Sequence, residues 1–66
     1  MKNKIKVERA INNLTQEDLA KLVSVSRQTI NAMEANKYVP STVLALKIAK
    51  LFNKPLEEIF LLEDTD

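Results

Sequence analysis

The chain contains no cysteine, no histidine, no glycine and no tryptophan, and only two prolines. Without cysteine or histidine it can form neither disulfides nor thiolate or imidazole metal sites, which are the usual staples of a small fold. The same two absences remove the common nucleophile and the common proton shuttle of enzymes, so catalysis is not expected, and neither is a cofactor. Lack of glycine deprives the chain of its ordinary turn residue, and the scarcity of glycine and proline argues against a strand-rich fold. Long apolar runs are missing as well, and Met1-Lys2-Asn3-Lys4 leads into mixed sequence with no apolar leader, so a soluble, cytoplasmic protein is expected, with no membrane partner.

What is present is ordinary for one small domain spanning residues 1–66: 45% apolar residues and a formal net charge of +1. A chain of this size buries only about 60% of the surface that its unfolded form exposes, so close helix packing or self-association has to supply stability. Charge is unevenly placed. Lys2, Lys4, Lys6 and Arg9 outnumber Glu8 near the start, whereas Glu57, Glu58, Glu63, Asp64 and Asp66 dominate the end. Bulk charge is too small to identify a nucleic-acid binder, so the arrangement of side chains has to decide.

Alanine, leucine, lysine and glutamate are plentiful, and the expected fold class is all-α. A first helix is predicted from Ile5 to Asn12, short and wet along one edge because Glu8 interrupts its apolar face. Thr15-Gln16-Glu17-Asp18 is the strongest helix start. The Thr15 hydroxyl can accept from the amide of Asp18, and the carboxylates lie at the positive end of the helix dipole. The second helix runs from Gln16 to about Val23 with Leu19, Ala20 and Val23 inward. After a very short break Ser26 caps a third helix, Arg27 to about Ala35, with Ile30 and Met33 inward. Asn36 to Pro40 is a loop. Thr42 to about Phe52 is apolar nearly all round, which predicts a central, deeply buried fourth helix, and Pro55 restarts the chain for one or two final turns.

Two short helices joined by so tight a break, with a small residue at their crossing, have the geometry of a helix-turn-helix over about residues 16–35. With Ile30 and Met33 facing inward, Arg27, Gln28, Thr29, Asn31 and Ala32 remain on the outer face or first turn of the third helix. Glutamine offers a paired amide for adenine, arginine a fork for guanine, and threonine or alanine a methyl contact for thymine. Arg27, Gln28, Thr29 and Asn31 are therefore the candidate base readers of double-stranded DNA. Gln16, through its backbone amide and side chain, and Asn36 and Lys37 beyond the third helix are candidates for phosphate oxygens. Tyr38 is as readily explained by covering the edge of the fourth helix.

Leu14-Thr-Gln-Glu-Asp-Leu-Ala, Val25-Ser-Arg-Gln-Thr-Ile-Asn and Glu34-Ala-Asn-Lys-Tyr-Val-Pro-Ser resemble the XRE family of phage-repressor-like helix-turn-helix proteins. The closing Pro-Leu-Glu-Glu-Ile-Phe is similar to a small single-domain subgroup that includes the cytolysin regulator of enterococci. The resemblance implies a five-helix repressor-type domain that binds operator DNA as a homodimer, in some members with a small strand pairing near the termini. It also implies an ion pair between Arg9 and Glu34. The sequence departs from the family pattern at three points: Ser24 and Asn36 stand where glycine is usual, and Glu8 stands where an aliphatic residue is usual.

The apolar fourth helix and the run Ile59-Phe60-Leu61-Leu62 exceed what so small an interior can hide, and exposed apolar patches mark partner surfaces. Leu56, Ile59, Phe60 and Leu61 are the candidate dimer interface. A two-fold pairing would set two recognition helices about 34 Å apart, one DNA turn, along a pseudo-palindrome. The expected function is a sequence-specific transcriptional regulator, a repressor acting by occupancy, with no small-molecule ligand. The competing reading is an antitoxin or adaptor that receives a partner protein on the apolar C-terminal surface.

Overall fold

Three hydroxyl side chains start three of the helices. In the structure, a computed structural model that describes residues 1–66, Thr15 Oγ1 accepts from the Asp18 amide at 3.0 Å and Asp18 Oδ2 accepts from the Thr15 amide at 3.0 Å, a reciprocal capping box. Ser26 Oγ accepts from the Thr29 amide and Ser41 Oγ from the Leu44 amide, both at 3.2 Å. The elements are β1 (Lys2–Asn3), α1 (Ile5–Ile11), α2 (Gln16–Leu22), α3 (Arg27–Glu34), α4 (Thr42–Phe52), α5 (Leu56–Ile59) and β2 (Phe60–Leu61). None of these helices is long and apolar enough to cross a membrane.

The missing glycines have a specific structural substitute. Four non-glycine residues take the left-handed conformation, Asn13, Ser24, Asn36 and Asn53, with φ of 55°, 61°, 59° and 55°. Each ends a helix in the same way. The next residue's amide reaches back five positions: Leu14 to Arg9 O, Val25 to Ala20 O and Lys37 to Ala32 O, each at 2.9 Å, and Lys54 to Ala49 O at 3.1 Å. The left-handed residue itself donates three positions back, to Ala10, Lys21, Met33 and Lys50 respectively. This is the Schellman arrangement four times over, and asparagine carries three of the four because its short amide side chain tolerates the left-handed region.

Ile5, Leu19, Ile30, Met33, Ile48 and Ile59 are the largest fully buried side chains, one or two from each helix. Ala20, Val23, Leu44, Ala45, Ala49, Phe52 and Phe60 complete the core. Burial of each large aliphatic contributes roughly 1.5–3 kcal/mol, the main return available to a chain with no cross-links. β1 and β2 form an antiparallel ribbon with Lys2 opposite Leu61 and Asn3 opposite Phe60, which brings the two ends of the chain together. Lys4 then donates its amide to Ile59 O at 2.8 Å.

Two expectations are corrected, and the expected surplus of apolar side chains on α4 is located. Ile59 and Phe60 are core residues at 0% and 8% exposure, because the ribbon returns this segment to the buried cluster; they cannot form an exposed pairing face. Leu56 and Leu61 are half-buried. Glu8 is not at a wet edge: it is buried, and its carboxylate is held by Lys54 Nζ at 2.6 Å. Finally, α4 is central but not enclosed. It turns Leu44, Ala45, Ile48, Ala49 and Phe52 inward and leaves Val43 and Leu46 exposed.

Candidate nucleic-acid interface

The turn between α2 and α3 is held by the Schellman pair at Ser24 and by the cap at Ser26, so little slack remains between the helices. Ala20 sits buried at their crossing, where a larger side chain would push the helices apart. Ile30 and Met33, at 0% exposure, anchor α3 from below. Arg27, Gln28 and Asn31 are consequently exposed on a helix that cannot roll without extracting two core residues. Thr29 is half-buried, and its hydroxyl lies 3.0 Å from Ser26 Oγ.

Behind this face lies a polar relay. Arg9 Nε donates to Glu34 Oε2 at 2.6 Å and Arg9 Nη2 to Glu34 Oε1 at 3.0 Å, a two-pronged ion pair in which the side chains are only 14% and 8% exposed. Arg9 Nη1 also donates to Leu14 O at 2.9 Å, which ties the end of α1 to the residue ahead of α2. Burial disfavours the charge on Glu34, but the hydrogen bonds from Arg9 and Gln16 outweigh it and hold the carboxyl below its ordinary pKa. Gln16 Nε2 donates to Glu34 Oε1 at 3.1 Å and to Asn31 Oδ1 at 3.3 Å. The relay therefore runs from α1 through the end of α3 to the start of α2 and back to the middle of α3.

Gln16, Arg27, Gln28 and Asn31 converge on one hollow of about 230 Å³ with no apolar residue in its wall. A larger hollow of about 510 Å³ adjoins it, lined by Arg9, Leu14, Thr15, Gln16, Glu17 and Arg27. Asn36 and Lys37 stand apart from this cluster, beyond the last turn of α3, a helix of 8 residues and so about 12 Å long. Asn36 Oδ1 accepts from Asn3 Nδ2 at 3.3 Å, and Asn3 Nδ2 also donates to Met33 O at 2.7 Å, so the Asn36 amide has its own NH2 free. Lys37 is exposed, and Tyr38 is 46% exposed.

Asn3 and the hydrogen bond between Gln16 and Glu34 were not legible in the sequence. Asn3 reaches Asn36 only through the ribbon, and a two-residue strand pairing carries no periodic signal. The approach of Gln16 to Glu34 follows from the crossing of α2 over α3, which no local spacing records.

Beyond the geometry, the helix-turn-helix family model matches residues 5–59. The chain is 61% identical over 66 residues to an uncharacterized helix-turn-helix-type transcriptional regulator of Methanocaldococcus jannaschii, and the match covers the whole of both chains. It is 50% identical over 64 residues to one of Bacillus subtilis, 97% of each chain, and 48% identical over 66 residues to one of Archaeoglobus fulgidus, all of this chain and 93% of the relative. With its two crossing helices, tight turn and outward polar face within the matched span, the chain belongs to the helix-turn-helix family.

Proposed function

We propose that this chain is a sequence-specific transcriptional repressor that occupies a short pseudo-palindromic operator as a homodimer, with no chemical step. The observation that carries the reading is the pose of α3: Ile30 and Met33 are locked at 0% exposure while Arg27, Gln28 and Asn31 stand exposed on the opposite side. A rigid helix with amide and guanidinium groups on its free face matches the donor and acceptor pattern of a major groove. That curated relatives are described as transcriptional regulators supports the same reading.

In this reading Arg27, Gln28 and Asn31 meet base edges, and the Thr29 methyl meets a thymine methyl. Lys37, the free NH2 of Asn36 and the backbone amide of Gln16, which as a first-turn residue has no partner within its helix, meet phosphate oxygens. The pairing surface is what remains of the C-terminal face once Ile59 and Phe60 are committed to the core: Leu56, extended by Val39, Val43 and Leu46, which are 64%, 63% and 52% exposed, while Leu61 lies on the other side of the ribbon beside Lys4, Lys54 and Glu57. Met1, Val39, Pro40, Thr42, Ala45, Leu56 and Phe60 line a largely apolar surface hollow of about 190 Å³ there. Burial of such a patch in a two-fold contact stabilises a small chain and fixes the spacing of two half-sites at the same time.

Selection of bound duplexes from a random oligonucleotide pool tests both parts. A two-fold-symmetric consensus is the expected result, and failure to enrich any sequence overturns the reading. Sedimentation showing only monomer at micromolar concentration, with or without the selected duplex, overturns the homodimer.

A further inference from the structure

Two backbone groups leave the Asn3 amide a single orientation. Its Oδ1 accepts from the Ile5 amide at 3.2 Å and its Nδ2 donates to Met33 O at 2.7 Å, and neither backbone group can reverse its role. The second hydrogen of that NH2 faces Asn36 Oδ1 at 3.3 Å, so Asn36 presents its oxygen to Asn3 and turns its own NH2 outward. The two side chains are 33 residues apart in the chain and meet because the ribbon pins Asn3 opposite Phe60. The backbone beneath Asn36 is held as well, with φ of 59°, its amide on Met33 O at 3.0 Å and the Lys37 amide on Ala32 O at 2.9 Å. Asn13 and Asn53 take the same left-handed conformation, yet of these three asparagines only Asn36 has its side-chain amide bonded within the chain. Closing a helix therefore does not require the contact to Asn3.

We propose that Asn3 is a positioning residue for a contact to the DNA backbone: by holding the Asn36 oxygen inward it keeps two amide hydrogens outward, beside the exposed Lys37. A phosphate oxygen only accepts, so it matches an outward NH2 and is opposed by an outward carbonyl. An asparagine amide with no such partner turns over freely and offers either face. Asn36 is exposed and Asn3 half-buried, so the contact can reach a duplex while its support stays within the protein. This inference rests on the DNA-reading function proposed above, and it adds to that function a residue of β1, outside the two crossing helices.

The test compares wild type, Asn36→Gly, Asn3→Ser, Asn3→Ala and the Asn3→Ser/Asn36→Gly double variant on the selected duplex and on copies in which one backbone phosphate at a time is replaced by a neutral methylphosphonate. Glycine accepts the left-handed conformation at position 36, a serine hydroxyl at position 3 can still accept from the Ile5 amide, and Met33 O keeps the Asn36 amide as its donor. The ratio of affinities for two duplexes is independent of the folded fraction, so a purely structural loss does not move it. At one backbone position the replacement is expected to cost the wild type about tenfold more than it costs Asn36→Gly. Asn3→Ser and Asn3→Ala should lose most of that difference, and Asn3→Ser should add nothing in the Asn36→Gly background, while discrimination between base pairs stays unchanged in all of them. In the wild type a nuclear Overhauser contact between the Asn3 side-chain NH2 and the Asn36 β-hydrogens is expected, and its absence overturns the pairing without any variant having to fold. Equal sensitivity of wild type and Asn36→Gly at every phosphate, or wild-type sensitivity retained in the Asn3 variants, overturns the proposal while leaving DNA reading intact. A wild-type protein that selects no sequence overturns DNA reading itself.

Discussion

Glu8 and Lys54, 46 residues apart in the chain, meet at 2.6 Å and join the middle of α1 to the residue that follows the left-handed cap of α4. The Glu8 side chain is 5% exposed and the Lys54 side chain 40%, so the acid depends on the base more than the base on the acid. Replacement of Lys54 by methionine strands a buried carboxylate. The expected loss is roughly 3 kcal/mol, the low end for breaking a buried pair, because water replaces part of an exposed partner. The double variant Glu8→Leu/Lys54→Met removes the charge altogether and is expected to be as stable as the parent or more so. Urea unfolding followed by far-ultraviolet circular dichroism checks both, and a double variant that is as weak as the single one would refute the electrostatic account.

The acid limb of stability should belong to the carboxylates that the fold holds below their ordinary pKa, Glu34, Asp18 and Asp66. Burial works against the ionisation of Glu34, but hydrogen bonds from Arg9 and Gln16 prevail, so its folded pKa lies below the unfolded one. A depressed carboxyl pKa stabilises the fold at every pH above the unfolded value and loses that contribution as pH falls through the folded value. Asp18 acts in the same sense, its pKa lowered chiefly by the Thr15 backbone amide. With no histidine in the chain, the melting temperature is expected to be nearly flat from about pH 7 down to the glutamate range and then to fall. Glu34→Gln should make that fall shallower in a pH series of thermal melts; an undiminished acid limb would show that Glu34 does not contribute to it.

The sequence made the helices legible because their starts are local chemistry: Thr15, Ser26 and Ser41 each bond an amide three residues on, and such spacing is visible without coordinates. The end of α3 was legible at Asn36 for a related local reason, since asparagine tolerates the left-handed conformation that closes a helix. The fate of Ile59 and Phe60 was not, since whether an apolar residue is covered depends on what folds back over it, and here a two-residue ribbon decides that. Glu8 was misread on the same ground: its partner lies 46 residues further along the chain, where helical periodicity has nothing to say. Outward residues of α3 could be named from the inward spacing of Ile30 and Met33, whereas the orientation of the Gln16 and Asn31 amides is set by a tertiary charge.

Readers and clamps should separate experimentally. Gln28 is exposed at the first turn of α3, so Gln28→Ala is expected to cost roughly 1–3 kcal/mol of binding and to relax one position of the site. Lys37 lies beyond the far end of the helix, and Lys37→Ala should weaken binding to all duplexes about equally and reduce the salt slope by about one. Because the net charge is only +1, the parent slope should itself be shallow. Titrations of both variants at several salt concentrations, on the selected duplex and its single-pair changes, check this; an equal, sequence-independent loss for both would abolish the distinction.

Ser24 is the one left-handed residue of the four that is not asparagine, and it sits in the turn that fixes α3 against α2. Its φ of 61° presses Cβ towards the following carbonyl, a strain of order 1–2 kcal/mol that glycine does not feel. Glycine also widens the unfolded ensemble, which returns about 0.4–1 kcal/mol of that gain. Ser24→Gly is therefore expected to stabilise the chain by roughly 0.5–1 kcal/mol, and glycine at Asn13, Asn36 or Asn53 by less, since asparagine already tolerates the conformation. Ser24→Val, with a branched Cβ in the same place, should destabilise it and loosen the turn, and the amide protons of Val25 and Ser24, bonded to Ala20 O and Lys21 O, should exchange faster as a result. Hydrogen exchange at these two amides separates turn strain from a general change in stability. If both variants shifted global unfolding without altering exchange at Val25 relative to the core, Ser24 would not be a strained hinge of the helix-turn-helix.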